Sequence, residues 1–207
     1  MTHDEYDVPA DEYIAEITIQ KSRFISTIKR VQSLDEMRSF YEKIQKAHPK
    51  ANHNCWAAVS GAPTDSGGYG CSDDGEPSGT AGKPILKVLQ YSGLGQVGLI
   101  VTRYFGGIKL GTGGLVRAYT EAAQAAVEGV PHIRYAKQIR LHCTLPYDQE
   151  GTFRYILSQF TLSDERFSYT DKVTVDLLVN ENQASSLIES LRAKLAPTLE
   201  VKQLRQM

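Results

Sequence analysis

Hydrophobic and polar positions change period several times along this chain, and each change marks an element. Residues 13–30 alternate with a period of two, which predicts two strands. Ile14, Ile17 and Ile19 belong to the first, Phe24, Ile25 and Ile28 to the second, and Gln20-Lys-Ser-Arg23 forms the turn. Leu34, Met37, Phe40, Tyr41 and Ile44 then recur at helical spacing. Ser33 and Glu36 make a capping box at the start of that helix, and Pro49 ends it. The short apolar runs 55–59 and 97–102 read as buried strands. A loop of about twenty residues follows the first run, and loops that long inside a compact domain usually carry function or are disordered. Thr80 is the expected cap of a short helix carrying Ile85, Leu86 and Leu89. An alanine-rich helix spans residues 115–127.

Gly129-Val-Pro131 reads as a linker, and the pattern changes beyond it. Ile139, Leu141, Cys143 and Leu145 alternate as a strand, and residues 147–160 form a helix. Two strands follow at 166–169 and 173–179. A helix carries Ala184, Leu187, Ile188, Leu191 and Leu195, and a last strand covers 199–204. The order βαββαβ is the ferredoxin-like signature. The expected fold class is therefore α+β in two domains, residues 1–130 and 136–207.

Composition narrows the class. The chain has 207 residues, 41% hydrophobic and 23% charged, with a net charge of −1. That is the profile of a globular protein without a bulk basic footprint, so nucleic-acid binding driven by overall charge is disfavoured and a local patch is left open. No apolar run approaches the roughly 20 residues that cross a bilayer. Residues 1–12 carry five acidic side chains and no Lys or Arg, unlike a secretory signal. Three cysteines, Cys55, Cys71 and Cys143, fit no disulfide framework, so the expected setting is the reducing cytoplasm.

The candidate chemistry lies in the glycines. Fifteen of seventeen fall between Gly61 and Gly114. They cluster in Ser72-Asp-Asp-Gly-Glu-Pro-Ser-Gly-Thr-Ala-Gly-Lys-Pro84 and in Arg103-Tyr-Phe-Gly-Gly-Ile-Lys-Leu-Gly-Thr-Gly-Gly-Leu115. Each block carries charge and runs into a helix, which is how a chain aims backbone N–H groups at an anion. The candidate anion- or partner-binding residues are Lys83, Arg103, Gly106, Gly107, Lys109, Gly111, Gly113 and Gly114. The alternative for Arg103 is an ion pair with Asp73, Asp74 or Glu76. Those carboxylates suit magnesium or acid–base work, and equally suit caps and turns. Gly82-Lys83 is not a P-loop, because Pro77 replaces the required glycine and Pro84 the magnesium-binding Ser or Thr. His48, His53, Cys55 and Cys71 have zinc chemistry at irregular spacing. Lys21 and Arg23, beside Phe24, form a basic tip suited to RNA or to plain solvent exposure. Tyr147, Tyr155 and Tyr169 could stack on bases, with packing the stronger reading. No catalytic residue, metal or cofactor is assigned.

The two glycine blocks, with Lys21-Ser-Arg-Phe24 and His48-Pro-Lys-Ala-Asn-His53, resemble the IMPACT family over nearly the whole chain. The resemblance implies a first domain with the fold of the second domain of ribosomal protein S-five. It implies a ferredoxin-like second domain similar to one in elongation factor G. Eukaryotic members regulate translation under amino-acid stress by competing for a ribosome-associated activator of a kinase, and carry an RWD domain not seen here. The expected partner is thus RNA, the ribosome or a translation-associated protein, with a regulatory and non-catalytic outcome. The alternative is a phosphate-ligand binder or small-molecule enzyme using the same loops.

Overall fold

The computed structural model describes residues 5–204, which form eleven strands and five α-helices. Contacts divide the chain into two units, one spanning Tyr6–Tyr135 and the other built on the residues from Ala136 onward. Both mix helices with sheet, so the protein is a two-unit α+β chain.

The first unit contains β1 (Glu5–Pro9), β2 (Tyr13–Ile19), β3 (Ser22–Arg30), α1 (Leu34–Ala47), β4 (His53–Val59), β5 (Tyr69–Ser72), α2 (Gly82–Ser92), β6 (Val97–Tyr104), α3 (Gly111–Gly129) and β7 (His132–Ala136). Five of its strands form an antiparallel sheet ordered β2-β3-β6-β4-β5. Strand β6 lies at the centre, and its first seven residues are all buried. That continuous burial requires cover on both faces. Val97, Leu99 and Val101 pack in one core with Ile85 and Leu89 of α2 and Leu115, Tyr119 and Ala122 of α3. Ile100 points the other way, to Met37, Phe40 and Ile44 of α1.

The edge strand β2 shows how alternation sorts residues. Tyr13, Ala15, Ile17 and Ile19 pack on the core, while Ile14 is 57% exposed. The turn after it is tighter than expected, because Gln20 and Lys21 both take positive φ (46° and 68°) and pin a two-residue hairpin. Arg23 consequently belongs to β3 and not to the turn. The Ser33 hydroxyl accepts from the Glu36 N–H at 3.1 Å, and the Glu36 carboxylate accepts from the Gln32 N–H at 2.8 Å.

Three expectations are corrected. The long loop contains a 3-10 turn, Ser66–Gly68, and the edge strand β5, which pairs with β4 from Trp56 to Val59. Helix α3 starts four residues before the alanine-rich run, inside the second glycine block. Gly129-Val-Pro131 is no linker. Gly129 closes α3, and a Cβ there would lie 2.4 Å from the Tyr13 hydroxyl. Pro131 accepts from the Ala10 N–H, which opens the β1–β7 ribbon.

The second unit runs β8 (Gln138–Leu145), a 3-10 turn, α4 (Glu150–Leu157), β9 (Leu162–Tyr169), β10 (Val173–Asn180), α5 (Glu181–Leu195) and β11 (Glu200–Leu204). Its antiparallel sheet is ordered β11-β8-β10-β9, the βαββαβ topology of a split βαβ unit. Leu141, Cys143 and Leu145 meet Val173, Val175 and Leu177 across β8 and β10, under Phe153 of α4 and Leu187 and Leu191 of α5. No helix among the described residues is long and apolar enough to cross a membrane.

Because β7 belongs to the first unit, the place where a fragment ends matters. A fragment ending at Ala136 is expected to unfold cooperatively. One ending at Pro131 loses the β1–β7 ribbon and is expected to melt several degrees lower. Thermal circular dichroism compares them, and equal melting temperatures would show that the ribbon contributes nothing.

Candidate functional site

Backbone register assembles the site. Arg103, near the end of β6, is paired on one side with Phe24 of β3 and on the other with His53 of β4. Directly opposite residues of antiparallel strands project to the same face, so the three side chains form a row. The Arg103 guanidinium carbon lies 5.6 Å above the Phe24 ring and 5.7 Å from that of Phe105.

Glu76, from the first glycine block, closes over this row. Its Oε1 accepts from Arg103 Nη1 at 2.6 Å and from the Tyr119 hydroxyl at 2.8 Å. Its Oε2 stands 3.9 Å from His53 Nε2. Both partners of the ion pair are buried. Of the alternatives open for Arg103, the structure supplies the pair with Glu76. Burial, and then the neighbouring Cys55 and Glu76, push the Tyr119 hydroxyl far above its usual range, so it donates. Burial likewise pushes the Cys55 thiol up, which makes it a poor nucleophile. It lies 3.0 Å from the Asp73 carbonyl and 3.3 Å from the Tyr119 hydroxyl.

Asp73 acts as an anion supplied by the chain itself. Its carboxylate accepts from the Gly79, Ala81 and Gly82 N–H groups at 2.8, 3.0 and 2.8 Å, at the N-terminus of α2. Partial burial raises its pKa. The three amides, with the nearby Lys83 charge, outweigh that and hold it below the ordinary 3.8. The N–H groups that the first glycine block was expected to aim at an anion are therefore filled from within. Thr80 does not cap the helix, since its hydroxyl donates to the Pro77 carbonyl. Asp74 ties β4 to α1, accepting from the Asn54 N–H at 2.6 Å and the Tyr41 hydroxyl at 2.8 Å. Burial and that bond push Tyr41 up to about 12. The Asp74 carbonyl accepts from His53 Nδ1 at 2.8 Å.

The second block behaves differently. Helix α3 has no acidic residue in its first turn and no side-chain cap. A cleft of about 380 Å³ opens beside it, lined by Asn52, His53, Glu76, Arg103, Phe105, Lys109, Gly111 and Thr112. Gly111 turns the chain into the helix with φ +69°, and Gly113 and Gly114 follow within the first turn. Gly107 lies in the exposed stretch before it, with φ +86°. Gly106 is required for another reason. A Cβ there would stand 2.0 Å from the Lys21 carbonyl carbon, so only glycine lets the block lie against the β2–β3 hairpin.

The candidate residues thus separate into groups. Arg103 and Lys109 share the cleft with the α3 N-terminus, and Lys21 lies behind Gly106. Lys83 is elsewhere, in a groove between α2 and α3 with Lys87, Tyr91 and Val116. Arg23 is bonded to Glu16 at 2.9 and 3.0 Å. Among the described residues no three His, Cys, Asp or Glu side chains gather as a metal-binding group. Tyr147 and Tyr169 stack on each other on the second unit, and Tyr155 is 69% exposed. Little in the local sequence marks Asn52, Phe105, Thr112 and Tyr119 as site residues. A tyrosine on the buried stripe of an alanine-rich helix, whose hydroxyl needs a partner, was the one signal that pointed inward.

Comparison with known proteins agrees with this architecture. Residues 20–127 match the Impact N-terminal domain, and residues 143–196 match the Domain of unknown function (DUF1949). The chain is 54% identical over 124 residues to an IMPACT family member of Haemophilus influenzae, an alignment spanning 60% of each protein. It is 43% identical over 141 residues to the IMPACT family member YigZ of Escherichia coli, spanning 65% of this chain and 69% of that one. It is 41% identical over 179 residues to the IMPACT family member YvyE of Bacillus subtilis, spanning 84% and 79%. A solved structure described as the crystal structure of an hypothetical protein superposes with a TM-score of 0.70 at 32% identity, over 99% of both chains. The chain belongs to the IMPACT family.

The buried groups generate two expected outcomes. Arg103→Ala removes the cation from a buried carboxylate, and is expected to cost about 3–5 kcal/mol in urea denaturation. The apolar pair Arg103→Met with Glu76→Leu is expected to cost less than that single change. For Asp73 the sign comes from its lowered folded pKa. Its stabilisation is fully present above the unfolded value and is lost as pH falls through the folded one. Asp73→Asn should therefore cost about 1–2 kcal/mol near neutrality. The gap to wild type should narrow below pH 3.8. A gap that is constant with pH would rule out the carboxylate as the cap of α2.

Proposed function

We propose that this chain is a regulatory binding protein of the translation apparatus, that it works in the cytoplasm, and that its partner is RNA, in the first place that of the ribosome. The observation that carries this reading is the opposite fate of charge in the two glycine blocks. Asp73, Asp74 and Glu76 turn inward, and each is engaged by backbone amides or buried side chains. Lys109 and the first-turn amides of α3 border an open cleft. An enzyme using the carboxylates would need them free to meet metal or substrate. A binding module needs them only to hold the loops. We propose further that the first unit is related in fold to the second domain of ribosomal protein S-five, and the second to a domain of elongation factor G. The regulatory role that eukaryotic relatives play in translation supports the same direction.

Affinity capture from lysate, with and without nuclease, followed by ribosome-gradient sedimentation, tests the reading. The chain is expected to travel with ribosomal particles, to be released by nuclease and to dissociate as salt rises, since phosphate contacts release counterions. A complex that survives nuclease would replace RNA with a protein partner. Multiple turnover of a nucleotide or phosphoester, lost in Asp73→Asn with Asp74→Asn while the fold persists, would replace binding with catalysis.

A further inference from the structure

Among the described residues, just two buried side-chain polar atoms have no hydrogen-bond partner, and one is Arg103 Nε. A guanidinium has five N–H donors, and an unpaired buried donor is costly. Glu76 takes Nη1. Nε is left without a partner, and a guanidinium can grip two oxygens of one anion at once. The side chain is more than nine-tenths buried, and it lines the cleft beside α3.

Three further features converge on the same cleft. The nineteen-residue helix α3 begins there with no acidic residue in its first turn and no side-chain cap, so its orphan N–H groups and positive dipole end face outward. Lys109 stands at the rim. Nothing lies within 4 Å of where a Cβ would project at Gly111 or Gly113, so the approach is clear. The contrast with α2 matters, because Asp73 already occupies that helix's amides. Phe105 adds an apolar component. It is 46% exposed, and its N–H is held by Asn52 Oδ1 at 2.8 Å. A tetrahedral anion alone would have no use for an aromatic face, whereas a nucleotide uses both. At about 380 Å³ the cleft suits one nucleotide and not a duplex.

We propose that this cleft takes one nucleotide of single-stranded RNA. Its phosphate lies between Arg103, Lys109 and the first-turn amides of α3, and its base lies on Phe105. This rests on the RNA-binding reading above and gives it a site. The test uses the full chain and a fluorescently labelled single-stranded uridine hexamer, read by anisotropy at fixed salt. Thr112→Asp places a carboxylate in the first turn of α3, where it favours the helix and repels phosphate. It is expected to melt no lower than wild type and to lose affinity at least about tenfold, the scale of a lost charge-assisted contact. Phe105→Ala is expected to lose affinity about tenfold, the scale of one stacked base. Lys109→Ala is expected to shallow the salt dependence by about one unit. Unchanged affinity in Thr112→Asp would overturn the site, as would a wild type that ignores the hexamer. Displacement of the RNA by polyglutamate at equal charge would overturn the nucleotide assignment. Co-sedimentation with ribosomes that persists in Thr112→Asp would sink this cleft alone. A wild type that never sediments with them would sink the broader reading.

Discussion

The buried pair of Arg103 and Glu76 is the constraint on which the rest of the first unit's candidate site depends. Neither charge is stable in that interior without the other. Their contact at 2.6 Å fixes the first glycine block against the end of β6, and Tyr119 extends the bond to α3. Sheet, loop and helix are joined at one carboxylate. The pair also explains why so polar a segment can be ordered. A loop with few apolar side chains has little hydrophobic surface to bury, so hydrogen bonds to charged groups must hold it.

The two helices that succeed the glycine blocks solve the same problem in opposite ways. Each begins with amides that its own turns cannot satisfy. Helix α2 receives the Asp73 carboxylate from nine residues upstream of Gly82, and that end is closed. Helix α3 receives nothing from its own first turn and opens on a cleft. The asymmetry divides the glycine-rich region into a half closed by its own carboxylates and a half that opens on a cleft. It also separates Lys83 from Arg103 and Lys109, although sequence alone makes all three look alike.

Much of the fold was legible because hydrophobic period is local information. The helix after Ser33, the buried strand at 97–102 and the βαββαβ order of the second unit each come from residues a few positions apart. Strand β5 and strand β7 were not legible, because Tyr69–Ser72 and His132–Ala136 are only four and five residues long, too short for their period to decide. They are strands because β4 and β1 offer them backbone partners. Helix α3 starts earlier than its apolar pattern indicates for a related reason. Glycine has low helix propensity, yet the first turn of a nineteen-residue helix packed on a sheet is held in place by the later turns.

The sequence by itself determined the family, the α+β class and the two blocks in which charge and glycine concentrate. Family and class are carried by motif and period, which survive reading along a line. Which carboxylate meets which cation was decided by tertiary structure alone. Arg103 faced three acidic candidates within four residues, and the strand register with His53 and Phe24 selected Glu76. The same packing left Arg103 Nε unpaired beside an uncapped helix. Partner choice among near neighbours depends on direction and burial, and neither is defined until the sheet has closed.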